Sequence, residues 1–561
     1  MSLASPSVET QDGLPPKVSW AKRRELTGVV WRLALPVILT NLLQSLVDVV
    51  DIFMVGRLGP IPIAAVGMSS AIRMLVLVML ISVAAGAMSL IAQAKGARDP
   101  QRMSFVTRQA IAAGFLLSLA LTAVGLLLAR PLLTLVNSGG EPQAVELGVQ
   151  YLRIIFLGTP FLVLNIVLNR LMQGAGDTVT PLLLTGSLNI LNILFNYILM
   201  FGVGPVPAFG VAGAAMGTIF ARALGVVVVL FIIYSGRNVV KILPGSYRPN
   251  WRMVSDILTI GVPSGMQGVF RNGSRLLVIG LITSTEVGTY GAAALAIGFQ
   301  VESLVFMPGL ALNVAATSLV GQALGSWQVR EARLRGNTAM AVGFVVMVVL
   351  AAPIVFFAEE IIRLFDPSAH PVLLETGVSY IYVNTVVLPL SAVAMVANGA
   401  LRGGGDSMPG LVSTIVARTF IAVGSAWLLA FPLGMGSVGV WIGLAIGTVA
   451  EAIYMGIRWR GRAWEVVALR KTDVYRQHLH RLPDAVQAQY LREVRTPFMA
   501  LPAAREKVSD EGVVYLLSDR QVVVRFENGG YALETPATSP APSTAVPTAS
   551  SVPLSAAPSG T

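Results

Sequence analysis

The first apolar stretch of the sequence holds two carboxylates, Asp48 and Asp51. An ionisable side chain at membrane depth costs about 3 kcal/mol or more, so it is kept where it faces a cavity or a partner. Asp51 stands 15 residues after Pro36, about four turns along one helix. A carboxylate so placed takes up a proton or binds a cation, and either event couples an ion gradient to movement of its helix. Pro36 lacks an amide proton and gives that helix a place to bend. Asn189, Asn192 and Asn196 stand three and four residues apart, on one helical face of a later apolar run. Their amide oxygens can coordinate Na⁺ or hydrogen-bond a protonated acid; adhesion between helices is the structural alternative. Thr218 adds a hydroxyl from the next apolar run.

Seven further ionisable residues lie in apolar stretches: Arg73, Arg222, Arg271, Arg275, Glu302, Arg418 and Glu451. Arg271 and Arg275 fall one turn apart on one face. An internal repeat, set out below, makes Asp48 equivalent to Arg275 and Arg73 equivalent to Glu302. Opposite charges at equivalent places predict ion pairs across a central cleft that close in one state and open in another. Ion pairs within one bundle are the alternative. Gln44, Asp48, Arg73, Arg271, Arg275 and Glu302 are thus the expected cleft, substrate or gating residues.

Other chemistries are excluded by type and spacing. Gly174, Gly176, Gly403 and Gly405 end membrane helices; a phosphate cradle would follow a strand and open a helix bearing lysine. Without a P-loop, a Ser/His/Asp set or a His-Glu-x-x-His motif, neither an ATP-driven pump nor an enzyme is expected. Cysteine is absent, and none of the three histidines, His370, His478 and His480, lies in an apolar stretch. No cofactor is expected beyond a coupling ion, H⁺ or Na⁺.

The scaffold follows from composition. Of 561 residues, 54% are hydrophobic and 12% charged, about half the charged share of a soluble domain. A soluble globule, a disordered chain and a nucleic-acid-binding module are excluded. The net charge of +11 fits basic loops on one side of a membrane. A helical span needs about 20 mostly apolar residues. Twelve are read, at 29–55, 63–94, 107–136, 148–173, 180–202, 210–235, 254–283, 288–321, 337–365, 377–401, 409–431 and 437–458. Barrel strands would alternate over about ten residues and do not. Basic residues crowd alternate loops, from Lys95 and Arg98 to Arg330, Arg333 and Arg335. That asymmetry predicts both termini in the cytoplasm of a multi-pass inner (plasma) membrane protein.

The two halves repeat with an offset of about 228 residues. Leu35-Pro36 meets Val262-Pro263, and Gln93-Ala94-Lys95-Gly96 meets Gln322-Ala323-Leu324-Gly325. The run from Asn169 to Asp177 meets that from Asn398 to Asp406. Six spans per half give both halves one orientation, hence parallel repeats around a central cleft. The expected divisions are a cytosolic segment at 1–28, an N-lobe at 29–236, a cytosolic linker at 237–253 and a C-lobe at 254–458. A small cytosolic region follows at 459–534 and a disordered Pro/Ala/Ser/Thr tail at 535–561. Within 459–534, Val513–Leu517 and Gln521–Phe526 read as short strands, followed by the turn Asn528-Gly529-Gly530.

Across about residues 26–458 the sequence resembles the multidrug and toxic compound extrusion family. The likeness rests on Leu35-Pro36, Val50-Asp51-Ile52-Phe53-Met54-Val55-Gly56, Gln173-Gly174-Ala175-Gly176-Asp177, Ala400-Leu401-Arg402-Gly403 and the six-plus-six repeat. The resemblance implies cation-coupled export of amphipathic organic cations by alternating access. It makes Asp51 the coupling aspartate, with bending near Pro36, and Asn192 and Thr218 part of an N-lobe cation site, where Na⁺ would lie at Asp51 and Asn192. Asn196 stands where many members have a second aspartate, which favours H⁺. In the C-lobe, Arg271 and Ser391 replace acidic residues of some members, and an arginine in the cleft admits anionic or zwitterionic substrates. The expectation is a monomeric secondary antiporter of drug-like molecules in the lipid bilayer, without nucleic-acid partners. The alternatives are a lipid or polysaccharide-precursor flippase of related fold and a channel or scaffold working through 459–534.

Overall fold

The computed structural model describes residues 19–136, 141–236, 238–326, 328–367, 369–461, 463–464, 467, 523–527 and 530–534. The chain divides into two compact units, Met1–Tyr475 and Arg476–Thr561. The first is an all-α integral membrane protein of twelve spans, arranged as two parallel six-helix repeats. The N-lobe comprises α1 (Trp20–Gly56), α2 (Pro60–Gly96), α3 (Pro100–Val136), α4 (Pro142–Leu157), α5 (Thr159–Gly174), α6 (Val179–Phe201) and α7 (Val211–Tyr234). The C-lobe comprises α8 (Trp251–Thr283), α9 (Gly288–Gly325), α10 (Val329–Phe356), α11 (Ala358–Phe365) and α12 (Pro371–Gly403). It ends with α13 (Met408–Ser413), a π-helix at Thr414–Ile421, α14 (Ala422–Ala430) and α15 (Gly436–Arg460).

Three spans are less regular than their apolar windows predict. The fourth is α4 and α5, bent by 52° at Gly158. Pro160 has no amide to give the Phe156 carbonyl, and the Thr122 hydroxyl of α3 donates to that carbonyl instead, at 2.8 Å. The ninth is broken at Phe357 between α10 and α11. The eleventh carries the π-helix, with Arg418 in its widened turn.

The leading helix of each half is shared between lobes. Val30, Leu33 and Ala34 of α1 pack into a cluster with Leu312, Leu319, Ala339 and Ala397 of the C-lobe. Beyond Pro36, Met54 and Val55 of the same helix pack with Tyr151, Ile155 and Met200 of the N-lobe. The second half mirrors this: Met253, Val254, Ile257 and Ile260 of α8 pack with α2, α3 and α5. Pro36 and Pro263 thus each stand where their helix passes from one lobe to the other.

The inter-lobe segment is strapped down. Gln109 Nε2 donates to the Arg248 carbonyl at 3.0 Å, and Gln109 Oε1 accepts from the Asn250 amide at 2.7 Å. Asn238 Nδ2 donates to Asp177 Oδ2 at 2.6 Å, and Arg108 Nη1 to the Leu243 carbonyl. Past α15 the chain turns back, with Trp464 buried and stacked on Trp459. C-lobe packing therefore extends beyond the expected limit at 458. In the second unit, β1 (Val523–Glu527) pairs antiparallel with β2 (Gly530–Glu534), in the register Val523 to Glu534. Residues 523–526 of the expected strand at 521–526 fall in β1, and β2 pairs with it from the C-terminal side; residues 521–522 and 528–529 lie outside the described residues. Val513–Leu517 and the tail at 535–561 lie outside the described residues.

Candidate functional site

In the N-lobe the polar residues of α1, α6 and α7 converge. Asn196 Nδ2 donates to Asp51 Oδ1 at 2.8 Å, with Asn196 itself buried. Asn192 Nδ2 donates to Thr218 Oγ1 at 3.4 Å, and that hydroxyl donates to the Ala214 carbonyl at 3.0 Å. The four expected coupling residues therefore form two hydrogen-bonded pairs. Asn189 shares the buried face, and its Nδ2 has no hydrogen-bond partner among the described residues. Arg222 Nη2 donates to Gln44 Oε1 at 3.2 Å. Asp48 and Asp51 both lie in the field of Arg73 and Arg222. Two carboxylates and two guanidiniums thus balance within one lobe.

The Oδ1 of Asn196 is buried without a hydrogen-bond partner among the described residues. Rotation of the amide would exchange its donor and acceptor. It can donate to an ionised Asp51 or accept from a protonated one. Asp51 thus has a partner suited to either protonation state.

The C-lobe cluster has another balance. Arg418 Nε donates to Glu451 Oε2 at 2.6 Å. Tyr380 Oη donates to Glu302 Oε1 at 2.7 Å, and Arg275 lies over the Phe299 ring, 4.7 Å from its centre. Arg271 lies in the field of Glu451, Arg418 and Arg275, and its guanidinium makes no hydrogen bond or ion pair among the described residues. Three cations face two carboxylates, which leaves one positive charge over.

The expected ion pairs across the cleft are not present in this conformation. Arg73 faces Asp48 and Asp51 of its own lobe, and Glu302 faces Arg275 and Arg418 of its own. Equivalent positions carry opposite charge, but each finds its counter-charge on a neighbouring helix of the same bundle.

A family model described as MatE matches residues 36–198 and 263–428. The chain belongs to the MatE family. Both matched blocks begin at the lobe-crossing prolines, Pro36 and Pro263. A probable multidrug resistance protein NorM of Pseudomonas aeruginosa is 30% identical over 439 residues, covering 76% of this chain and 88% of that one. A second of that name, from Thermotoga maritima, is 28% identical over 445 residues, covering 78% and 94%. Among solved structures, an outward-facing multidrug resistance MATE family transporter of the MOP superfamily matches with a TM-score of 0.72 at 26% identity. It covers 79% of this chain and 96% of that one.

At the end of this MatE protein that carries Lys95 and Arg335, the two lobes are sealed. Gln93 Nε2 of α2 donates to the Gly403 carbonyl at 2.9 Å, and Gln322 Nε2 of α9 to the Gly174 carbonyl at 3.1 Å. The helices touch backbone to backbone here. A side chain on Gly96 would overlap the Gln322 carbonyl, and one on Gly325 the Gln93 carbonyl. The glutamines mark the repeat in sequence, but their cross-lobe role has no signature there. Tyr380, which holds Glu302, was equally hidden: one phenol in an apolar run reads as core.

Proposed function

We propose that this MatE protein is a secondary active multidrug exporter that exchanges a cation, H⁺ or Na⁺, for amphipathic organic compounds by alternating access. The observation that carries this is Asp51, a carboxylate deep in an apolar helix and hydrogen-bonded to the reversible amide of Asn196. In this reading Asp51 alternates between charged and neutralised, aided by Asn192, Asn196 and Thr218. Pro36 lets α1 follow, since the helix belongs to different lobes on its two sides. One carboxylate beside amides favours H⁺, because Na⁺ is held by a fuller cage of oxygens. The sealed end is the cytoplasmic one, by its basic loops, so the described state faces outward. The protein then acts as a monomer in the inner membrane with both termini inside. Ion and substrate need only prefer different states by a few kcal/mol to exchange.

Anionic or zwitterionic compounds belong among the substrates, because Arg271 makes no ion pair among the described residues and its cluster holds one cation more than its carboxylates balance. The test is efflux from proteoliposomes under an imposed pH or Na⁺ gradient, wild type beside Asp51→Asn. Wild type should answer one gradient and the variant neither. Equal transport by both proteins would make Asp51 structural and move the arginine-lined flippase reading to the front.

A further inference from the structure

A cavity of about 550 Å³ opens at the sealed end, between the lobes. Lys95, Arg98 and Lys241 line it from the N-lobe side and Arg335 from the C-lobe side. Among the described residues no acidic one lines it. Arg335 is paired with Glu331 at 3.2 Å, and the nearby Asp99 carboxylate accepts from the Arg102 amide at 2.8 Å. The side chains of Lys95, Arg98 and Lys241 make no hydrogen bond or ion pair among the described residues. Three exposed cations without a partner among the described residues therefore line one half-open cavity.

Two helix starts meet the same space. Pro100 is the first residue of α3, whose start Asp99 caps, and Gln328 immediately precedes α10, whose first turn carries Glu331.

The backbone adds an independent sign. Four helices at this end close with a residue in the left-handed region. At the ends of α5, α7 and α12 that residue is glycine, Gly176 at φ 90°, Gly236 at φ 70° and Gly405 at φ 83°. At the end of α2 it is Arg98, at φ 54°, the one non-glycine residue with positive φ among those described. An arginine there costs about 1 kcal/mol over glycine. The fold accepts that strain and gains a guanidinium in the cavity.

We propose that this cavity binds a phosphate-bearing anion, either the headgroup of an anionic phospholipid or a soluble phosphate, and that binding holds the lobes together at this end. The walls come from both lobes, so the complete site exists only while the seal is shut. A ligand that binds one state stabilises that state. The site is separate from the Asp51 pair and from Arg271, and does not depend on what the protein exports.

The full chain in nanodiscs tests this. The absence of cysteine lets Val179→Cys and Met408→Cys carry spin labels, one on each lobe at the sealed end, for distance measurement. One arm uses phosphatidylcholine discs titrated with inorganic pyrophosphate, against chloride at matched ionic strength, with calorimetry on the same samples. The other uses phosphatidylglycerol discs with no added phosphate. Expected is heat of binding, or a lipid effect, together with a larger population at the short distance. Lys95→Gln with Arg98→Asn and Lys241→Gln should abolish both; asparagine tolerates the left-handed backbone. Lys241→Gln alone, on the exposed linker, should weaken binding about threefold and covers the case that the triple variant does not fold. Arg57→Gln, at the opposite end, should change nothing. A response to lipid alone assigns a headgroup, and a response to pyrophosphate alone assigns a soluble phosphate. No response to either, or the same response from the Lys241→Gln and triple variants as from wild type, overturns the proposal.

Discussion

At the sealed end the large apolar clusters mix residues of both lobes, whereas at the other end each cluster is drawn from one lobe. Val30, Leu33 and Ala34 of α1 join the C-lobe, and Met253 to Ile260 of α8 join the N-lobe. Towards the open end, Met54 and Val55 stay with N-lobe helices, and Val278 and Ile282 with C-lobe helices. The seal rests on apolar area, close backbone contact, two glutamines and two serines, Ser89 and Ser318. The charged groups deeper in the cleft are balanced lobe by lobe. Opening the seal therefore costs packing and the hydrogen bonds that Gln93, Gln322, Ser89 and Ser318 give across it, while the ion pairs inside each lobe can survive the change intact. A neutralised Asp51 must be worth enough to tip that packing balance, and only a few kcal/mol are needed.

The sharpest way to break this contrast is Gly325→Leu, which drives a side chain into the Gln93 carbonyl across the lobe boundary. Overpacking of this kind costs about 3 kcal/mol. In the cysteine-free background, Ser318→Cys at the buried seal should change from protected to rapidly labelled by maleimide. An unchanged labelling rate would show that the seal does not depend on that approach. A smaller effect is expected of Gln93→Ala with Gln322→Ala. Each change removes one of the donors to a carbonyl across the lobe boundary, about 1 kcal/mol apiece. Labelling of Ser318→Cys should rise, by less than with Gly325→Leu, and rescue by Gln→Asn is not expected because the shorter amide falls short of the carbonyl.

Glu286 at the open end sharpens the contrast from the other side. Its Oε1 accepts from the Ser437 amide at 2.9 Å, near the start of α15. Burial pushes the carboxyl up, but the hydrogen bonds, led by that amide, outweigh it and hold the group below the usual range. A lowered folded value means the stabilisation is present above the unfolded value and fades as pH falls through the folded one. Glu286→Gln should lower stability by about 0.5 kcal/mol at neutral pH, a figure discounted for solvent screening. Melting curves of variant and wild type should converge in acid, and labelling at the seal should not change. A variant deficit that persists in acid would remove the charge from the explanation.

The spans, the repeat and the proline pair were legible in the sequence because apolar windows and proline act locally. Lobe membership was not. Leu33 and Val55 are equally apolar, and nothing in α1 says that one will meet α9 and the other α4. The break at Gly158 had a weak signal in Pro160, but the Thr122 hydroxyl that makes it tolerable comes from another helix. The π-helix around Arg418 had none. Asp51 and the Asn189, Asn192 and Asn196 face stood out by polarity alone, yet only the structure separates an Asp51–Asn196 pair from an Asn192–Thr218 pair. The charges at Asp48, Arg73, Arg275 and Glu302 were visible, but spacing cannot tell a partner across the cleft from one on a neighbouring helix.

The sharing of α1 between lobes also constrains how the protein is made. Val30, Leu33 and Ala34 have no final partner until α9 and α10 have been synthesised and inserted. At ~5–20 residues per second the first helix waits tens of seconds with that apolar face against lipid or insertion machinery. The later helix α8 meets finished N-lobe helices at once. Assembly therefore ends with the capture of the oldest helix by the youngest lobe, and an N-terminal half made alone would lack the surface its own first helix needs.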